Sequence, residues 1–219
     1  MAEGPLDDYS AAYVSACALL GMQHLHYLDI VYRGLSAQTI LVTETGVMQL
    51  VDFRFARRND NARCFTLCGP PQYLAPEMIE GTGHTEAVDW WALGVLVYHL
   101  LTGQMPFAGP GDDELRVYKR IVRCAPAYPP LLGPEAKDLI GQLLVRDPDA
   151  RLGMAPGGVP RLMAHPWFKG IDWGGLREGR TTMPLLLRDR LFTCAGGDLM
   201  SWQPPARGPG EPPLWLSEF

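Results

Sequence analysis

The 219-residue chain has no basic stripe, no CxxC pair and no long apolar run. Its lysines and arginines are scattered, Arg54, Arg57 and Arg58 being the densest group, and the formal charge is -5. A phosphate backbone needs a track of positive charge, so nucleic acid is not an expected partner. The five cysteines, Cys17, Cys64, Cys68, Cys124 and Cys194, are odd in number, which argues for reduced thiols over a disulfide framework. Cys64 and Cys68 have no histidine or second pair nearby to complete a tetrahedral set, so no metal site is expected. The longest apolar stretch, residues 90–101, falls short of the roughly 20 residues a membrane helix needs, and no membrane span is expected. "MAEGPLDDYS" lacks the basic and apolar regions of a signal peptide. These absences point to the cytoplasm, with the nucleus as a second compartment. No internal repeat is visible.

What is present suits a folded domain: 47% of residues are hydrophobic, enough to build a core. Between residues 9 and 28, Tyr9, Ala12, Tyr13, Ala16, Leu19, Leu20 and Leu25 recur at three-and-four spacing, predicting an amphipathic helix. Residues 30–32, 40–42 and 47–51 are short β-branched runs, and Thr43-Glu44-Thr45-Gly46 has hairpin-turn composition. Residues 53–83 lack periodicity and predict a long structured loop. Residues 85–103 are apolar nearly all round, as in a central helix covered on every side, with Gly103 just past its end. Further helices are predicted over 112–123 and over 134–145, with Pro134 in the first turn, and a weaker one over 159–164. From Pro184 the chain reads as a tail in which "QPPARGPGEPP" cannot build a core and the terminal "LWLSEF" could dock.

Six stretches, in order, resemble the eukaryotic protein kinase family. "YRGLSAQTILV" is similar to its catalytic loop, "VDFRFA" to its DFG motif, and "TLCGPPQYLAPE" to an activation segment ending in APE. "GHTEAVDWWALGVLVYHLLTGQMPF", "LLVRDPDARLG" and "HPWFKGIDW" resemble the rest of the large lobe. The wording is that of the AGC group, and the terminal "SEF" is similar to the end of the cAMP-dependent kinase catalytic subunit. The implied fold is mainly α with short β-hairpins: a C-terminal large lobe without the N-terminal β-sheet lobe, followed by an extended AGC-type C-terminal tail. The implied division is an extension at 1–8, the lobe at 9–174 and a proline- and glycine-rich tail at 175–219.

Phosphoryl transfer asks a protein to position phosphates, hold magnesium and orient the substrate hydroxyl. By the resemblance, the aspartate that orients the hydroxyl is Gly34, the lysine on the transferring phosphate is Ser36, and the asparagine on the second magnesium is Thr39. The DFG aspartate remains as Asp52, a vestigial metal ligand, but Arg54 replaces the glycine and could pair with it. No GxGxxG occurs, only about eight residues precede the first helix, and the tail lacks the aromatic-acidic segment that reaches adenine.

The resemblance also implies retained positions. Tyr32 and Phe53 belong to a hydrophobic spine, Asp89 accepts hydrogen bonds from the catalytic-loop backbone, and Glu77 and Arg151 form a buried ion pair. Thr66 stands at the activation-loop phosphorylation position, with Arg33 and Arg57 to receive the phosphate. Leu67, Pro71 and Leu74 match an apolar peptide pocket, whereas Gln38, Gln72 and His99 replace the acids that read basic peptides. Phe65 and Tyr118 match the aromatic surface that docks regulatory subunits.

Two functions are open on this reading. One is a non-catalytic pseudokinase lobe acting as scaffold, decoy or titrating partner, with no cofactor and with a protein partner such as a regulatory subunit. The other is a serine/threonine kinase using ATP and magnesium through degenerate motifs or a small lobe supplied by another chain. A truncated product without a selected role is a third. Apolar surface left open around Phe53 and "LWLSEF" predicts association with a partner or with itself.

Overall fold

The computed structural model describes residues 4–43, 46–59 and 63–194. Helix α1, Asp8–Tyr27, is started by Asp7, whose carboxylate accepts from the Ser10 N–H at 3.0 Å and satisfies one orphan donor of the first turn. It is less amphipathic than its spacing predicts. Ser10 through Ala16 are all buried, small residues letting other elements close on every side, while Tyr9, counted on the apolar face, is half exposed.

Two antiparallel two-stranded sheets follow. Strand β1, Ile30–Val31, pairs with β4, Arg57–Arg58, and β2, Ile40–Val42, pairs with β3, Met48–Leu50, in register Leu41 to Gln49. The hairpin agrees with the β-branched runs; β4 lies inside the span predicted as loop. Glu44 and Thr45 of the predicted turn lie outside the described residues.

After the short helix α2, Pro76–Glu80, comes the central helix α3, Ala87–Thr102. It packs between α1 and α5, Pro134–Leu143, and residues 87–98 are buried without exception. The α3–α5 crossing is close enough that a Cβ on Gly94 would lie 2.8 Å from Leu143, so only glycine fits. Gly103 caps α3 at φ 68°, a left-handed conformation that costs glycine little. Trp91 stacks on Phe107 with centroids 5.4 Å apart at the middle of the core.

Helix α4, Glu114–Arg123, starts at the Asp113 cap and buries only Val117 and Ile121, a narrow stripe on a charged surface helix. Helices α6, Gly158–Met163, and α7, Trp173–Arg177, complete the lower lobe. Helix α8, Leu185–Cys194, departs from the tail expected after Pro184. Leu187 is buried, and Arg190 donates to the carbonyls of Gly4 and Pro5, so this helix fastens the N-terminal extension to the lobe. "QPPARGPGEPP" and "LWLSEF" lie outside the described residues. The observed architecture is thus a mainly helical lobe with one short hairpin and a second two-stranded sheet.

Candidate functional site

The site lies where the loop after β1, the 3-10 turn at Ala37–Thr39 and the turn at Phe53–Phe55 converge above α3. Asp89, fully buried, anchors it from α3. Its Oδ2 accepts from the Tyr32 N–H at 2.9 Å and meets His26 Nε2 at 2.7 Å, while Oδ1 accepts from the Arg33 N–H at 2.7 Å. One carboxylate therefore fixes the loop backbone just ahead of Gly34. His26, whose ring meets Trp90 edge-on, had no sequence signal beyond lying at the end of α1.

Gly34 adds no side chain here, and no crowding demands that. A Cβ would meet Tyr32, the Asp52 carbonyl and Phe55 at 3.5–3.7 Å, ordinary contact distances. Ser36 and Thr39 are turned into the loop. Thr39 Oγ1 accepts from the Ser36 N–H at 2.9 Å and lies 3.0 Å from the Gly34 carbonyl and 3.1 Å from that of Ser36. Both residues are buried. Their hydroxyl chemistry closes a local turn and is not presented to a ligand.

Asp52 adopts φ 63°, which aspartate tolerates better than most residues. Arg54 Nε donates to its Oδ1 at 2.6 Å, and this hydrogen bond holds the Asp52 carboxyl below its usual range. Magnesium takes oxygen donors in octahedral array. The described side chains around Asp52 offer one carboxylate, already paired with a guanidinium, so they do not fit the metal–nucleotide group that kinase chemistry employs.

Tyr32, fully buried, meets Phe53 edge-on with centroids 5.5 Å apart and donates its hydroxyl to the Val51 carbonyl; burial pushes its pKa up to about 12. Phe53 remains 43% exposed. Below, Arg151 donates to Glu77 through Nη1 at 2.9 Å and Nη2 at 3.1 Å, a bidentate pair buried at both ends. Its remaining donors reach the carbonyls of Ala87 and Val145, and its guanidinium lies 5.2 Å from the Trp91 ring. Every polar atom of this buried charge is thereby engaged.

The activation segment is less unified. Leu74 is buried and lines a small cavity with Leu35, Pro70, Tyr73 and Met78, whereas Leu67 and Pro71 are exposed and lie outside it. Gln38 and Gln72 are exposed, and His99 Nδ1 lies 3.3 Å from the Gln104 carbonyl. Phe65 is 67% exposed, and Tyr118 is half-buried on α4. Thr66 is exposed. Arg33 and Arg57 come together, but on Cys64: Arg33 Nη1 lies 3.0 Å and Arg57 Nη1 3.2 Å from its Sγ. Cys64 was legible only as a thiol without a CxxC partner; its one signal was its place two residues before Thr66.

The catalytic-loop, DFG and activation-segment positions thus sit on one helical lobe, in the order the sequence motifs imply. The protein kinase domain model matches residues 2–168, and the chain belongs to that family. It is 38% identical over 204 residues to Ribosomal protein S6 kinase alpha-4 of Homo sapiens, covering 89% of this chain and 26% of that protein. It is 39% identical over 188 residues to the cGMP-dependent protein kinase egl-4 of Caenorhabditis elegans, covering 84% and 24%. With the cAMP-dependent protein kinase catalytic subunit of Dictyostelium discoideum it shares 40% over 177 residues, covering 81% and 27%. The likeness is to the AGC group, and the chain spans about a quarter of the length of these relatives. Among the described residues no helix is long and apolar enough to cross a membrane.

Proposed function

We propose that this chain is a kinase-fold lobe that acts by binding a protein, as scaffold, decoy or titrating partner, and does not transfer phosphate or bind a cofactor. The observation that supports this reading is the state of the catalytic loop. Gly34 carries no acceptor for a substrate proton, Ser36 and Thr39 commit their hydroxyls to the loop, and Arg54 holds Asp52. Positioning and charge neutralisation supply nearly all of phosphoryl-transfer catalysis, and each depends on groups that are replaced or engaged here. The retained frame of Asp89 and the Glu77–Arg151 pair keeps a surface in shape without serving chemistry. Phe65, Tyr118 and the exposed Phe53 are the aromatic anchors proposed for a partner, a regulatory subunit being the type that the family resemblance favours.

A second reading is serine/threonine kinase activity with a small lobe supplied in trans. The exposed Phe53 ring and the room for a Cβ at Gly34 favour it. The deciding experiment is a thermal shift with ATP and magnesium, followed by a phosphotransfer assay on a basic and a neutral peptide. The proposal expects no magnesium-dependent shift and no incorporation. A saturable, magnesium-dependent shift with incorporation would overturn it.

A further inference from the structure

Away from the catalytic loop, the activation segment holds a cluster that the reading above does not use. Cys64 forms an antiparallel bridge with His84, its N–H donating to the His84 carbonyl at 3.0 Å and its carbonyl accepting at 2.8 Å. Arg63, Phe65 and Thr66 are exposed, whereas Cys64 is only 8% exposed. Its sulfur receives Arg33 Nη1 at 3.0 Å and Arg57 Nη1 at 3.2 Å. His84 Nε2 lies 3.5 Å from Arg33 Nη1. Its ring is kept neutral more readily than usual by burial and by the Arg33 charge, so it adds no anion.

Among the described residues no carboxylate pairs with either guanidinium. Asp89 is engaged by loop N–H groups and His26, and Glu77 by Arg151. Two like charges directed at one weakly polar atom make an anion-binding cradle. The atom that occupies it is the sulfur.

We propose that Cys64 is a thiolate held as the counter-ion of Arg33 and Arg57, and that hydrogen peroxide oxidises it to a sulfenic acid. The thiolate sulfur attacks one peroxide oxygen, the O–O bond breaks, and the departing hydroxide takes a proton from solvent to leave as water. Sulfur gives up two electrons and peroxide accepts them. The product has lost the full negative charge that the two arginines share. Arg57 lies on β4, and Arg33 also holds the Phe55 carbonyl at 2.7 Å, so oxidation loosens the activation segment from the catalytic loop and from β4 together.

Burial opposes ionisation of Cys64. It is outweighed by the Thr66 hydrogen bonds, the Arg33 charge and the Arg57 hydrogen bond, which bring the thiol down to about 7. Burial instead pushes Cys17 up to about 12 and raises Cys68 and Cys124. Reactivity follows the thiolate fraction, tempered by the lower nucleophilicity of a more acidic thiol.

The test exposes the full chain to graded hydrogen peroxide, traps sulfenic acid with dimedone and reads each cysteine by peptide mass spectrometry. Iodoacetamide alkylation rates across pH 6 to 9 are read in parallel. Cys64 is expected to label about tenfold faster than Cys68 or Cys124 at neutral pH, with an alkylation midpoint near 7. Arg57→Gln is expected to slow Cys64 labelling several-fold and leave the Cys68 rate unchanged. Equal rates for Cys64 and Cys68, or an alkylation midpoint at or above about 8.5, would overturn the proposal. Should Arg57→Gln fail to fold, the wild-type midpoint decides alone.

Discussion

Arg54 Nε lies 2.6 Å from Asp52 Oδ1, so the residue that replaces a motif glycine closes back on the carboxylate two positions earlier. Replacing Arg54 with glycine removes the hydrogen bond that lowers the Asp52 pKa. An NMR titration of the Asp52 carboxyl should show a midpoint below the usual carboxylate range in the wild type and a higher one in Arg54→Gly. Identical midpoints would show that the pairing does not persist in solution. Both side chains face solvent substantially, so the pair contributes little to stability.

Arg151→Met leaves Glu77 as an unpaired buried charge and should cost about 3 to 5 kcal/mol in urea unfolding. The double variant Glu77→Leu/Arg151→Met removes both charges and should recover part of that loss. A single variant with wild-type stability would mean that the pair is not buried.

Thr39→Val removes the acceptor for the buried Ser36 N–H. The expected loss is about 1 to 3 kcal/mol, because an unsatisfied buried donor forfeits its hydration. Thr39→Ser keeps the oxygen and should retain most of the stability. Equal losses in the two variants would show that the Oγ1 acceptor is not what stabilises the turn.

Gly34→Asp should fold, since its Cβ meets only ordinary contacts. Under the proposed function, restoring this acid alone produces no phosphotransfer, because Ser36, Thr39 and Arg54 are unchanged. Incorporation of phosphate by Gly34→Asp would favour the kinase reading.

Cys64 supplies a pH dependence with a definite sign. Its native pKa of about 7 lies below the ordinary value of 9.0, so between these values the unfolded chain binds more protons than the native one. Stability from this group is present above about 9.0 and is lost as pH falls through about 7. The stability difference between the wild type and Cys64→Ser should therefore widen from pH 7 to pH 9. A flat difference would show that the thiol is not ionised in the folded state.

Much of the fold was legible because its signals are local. The three-and-four spacing ahead of Leu28, the apolar run ending at Gly103 and Pro134 at a helix start each report the backbone state of their own neighbourhood. Strand β4 was not legible. Arg57–Arg58 carries no β pattern and is a strand only because β1 pairs with it. Helix α8 was hidden by the proline and glycine that follow it, and its reason for forming lies in distant contacts, Leu187 in the core and Arg190 on the carbonyls of Gly4 and Pro5.

Residue identity alone determined that Gly34, Ser36 and Thr39 cannot offer an acid, a base and an amide, since side-chain chemistry needs no fold to be read. It also placed Arg54 close enough along the chain to reach Asp52. Only the tertiary structure decided that Thr39 turns its hydroxyl inward, that Asp89 receives three donors from two segments, and that Arg33 and Arg57 meet at Cys64. Those partners are separated by up to 63 residues in sequence, and no local propensity encodes a contact that chain packing alone brings within 3.2 Å.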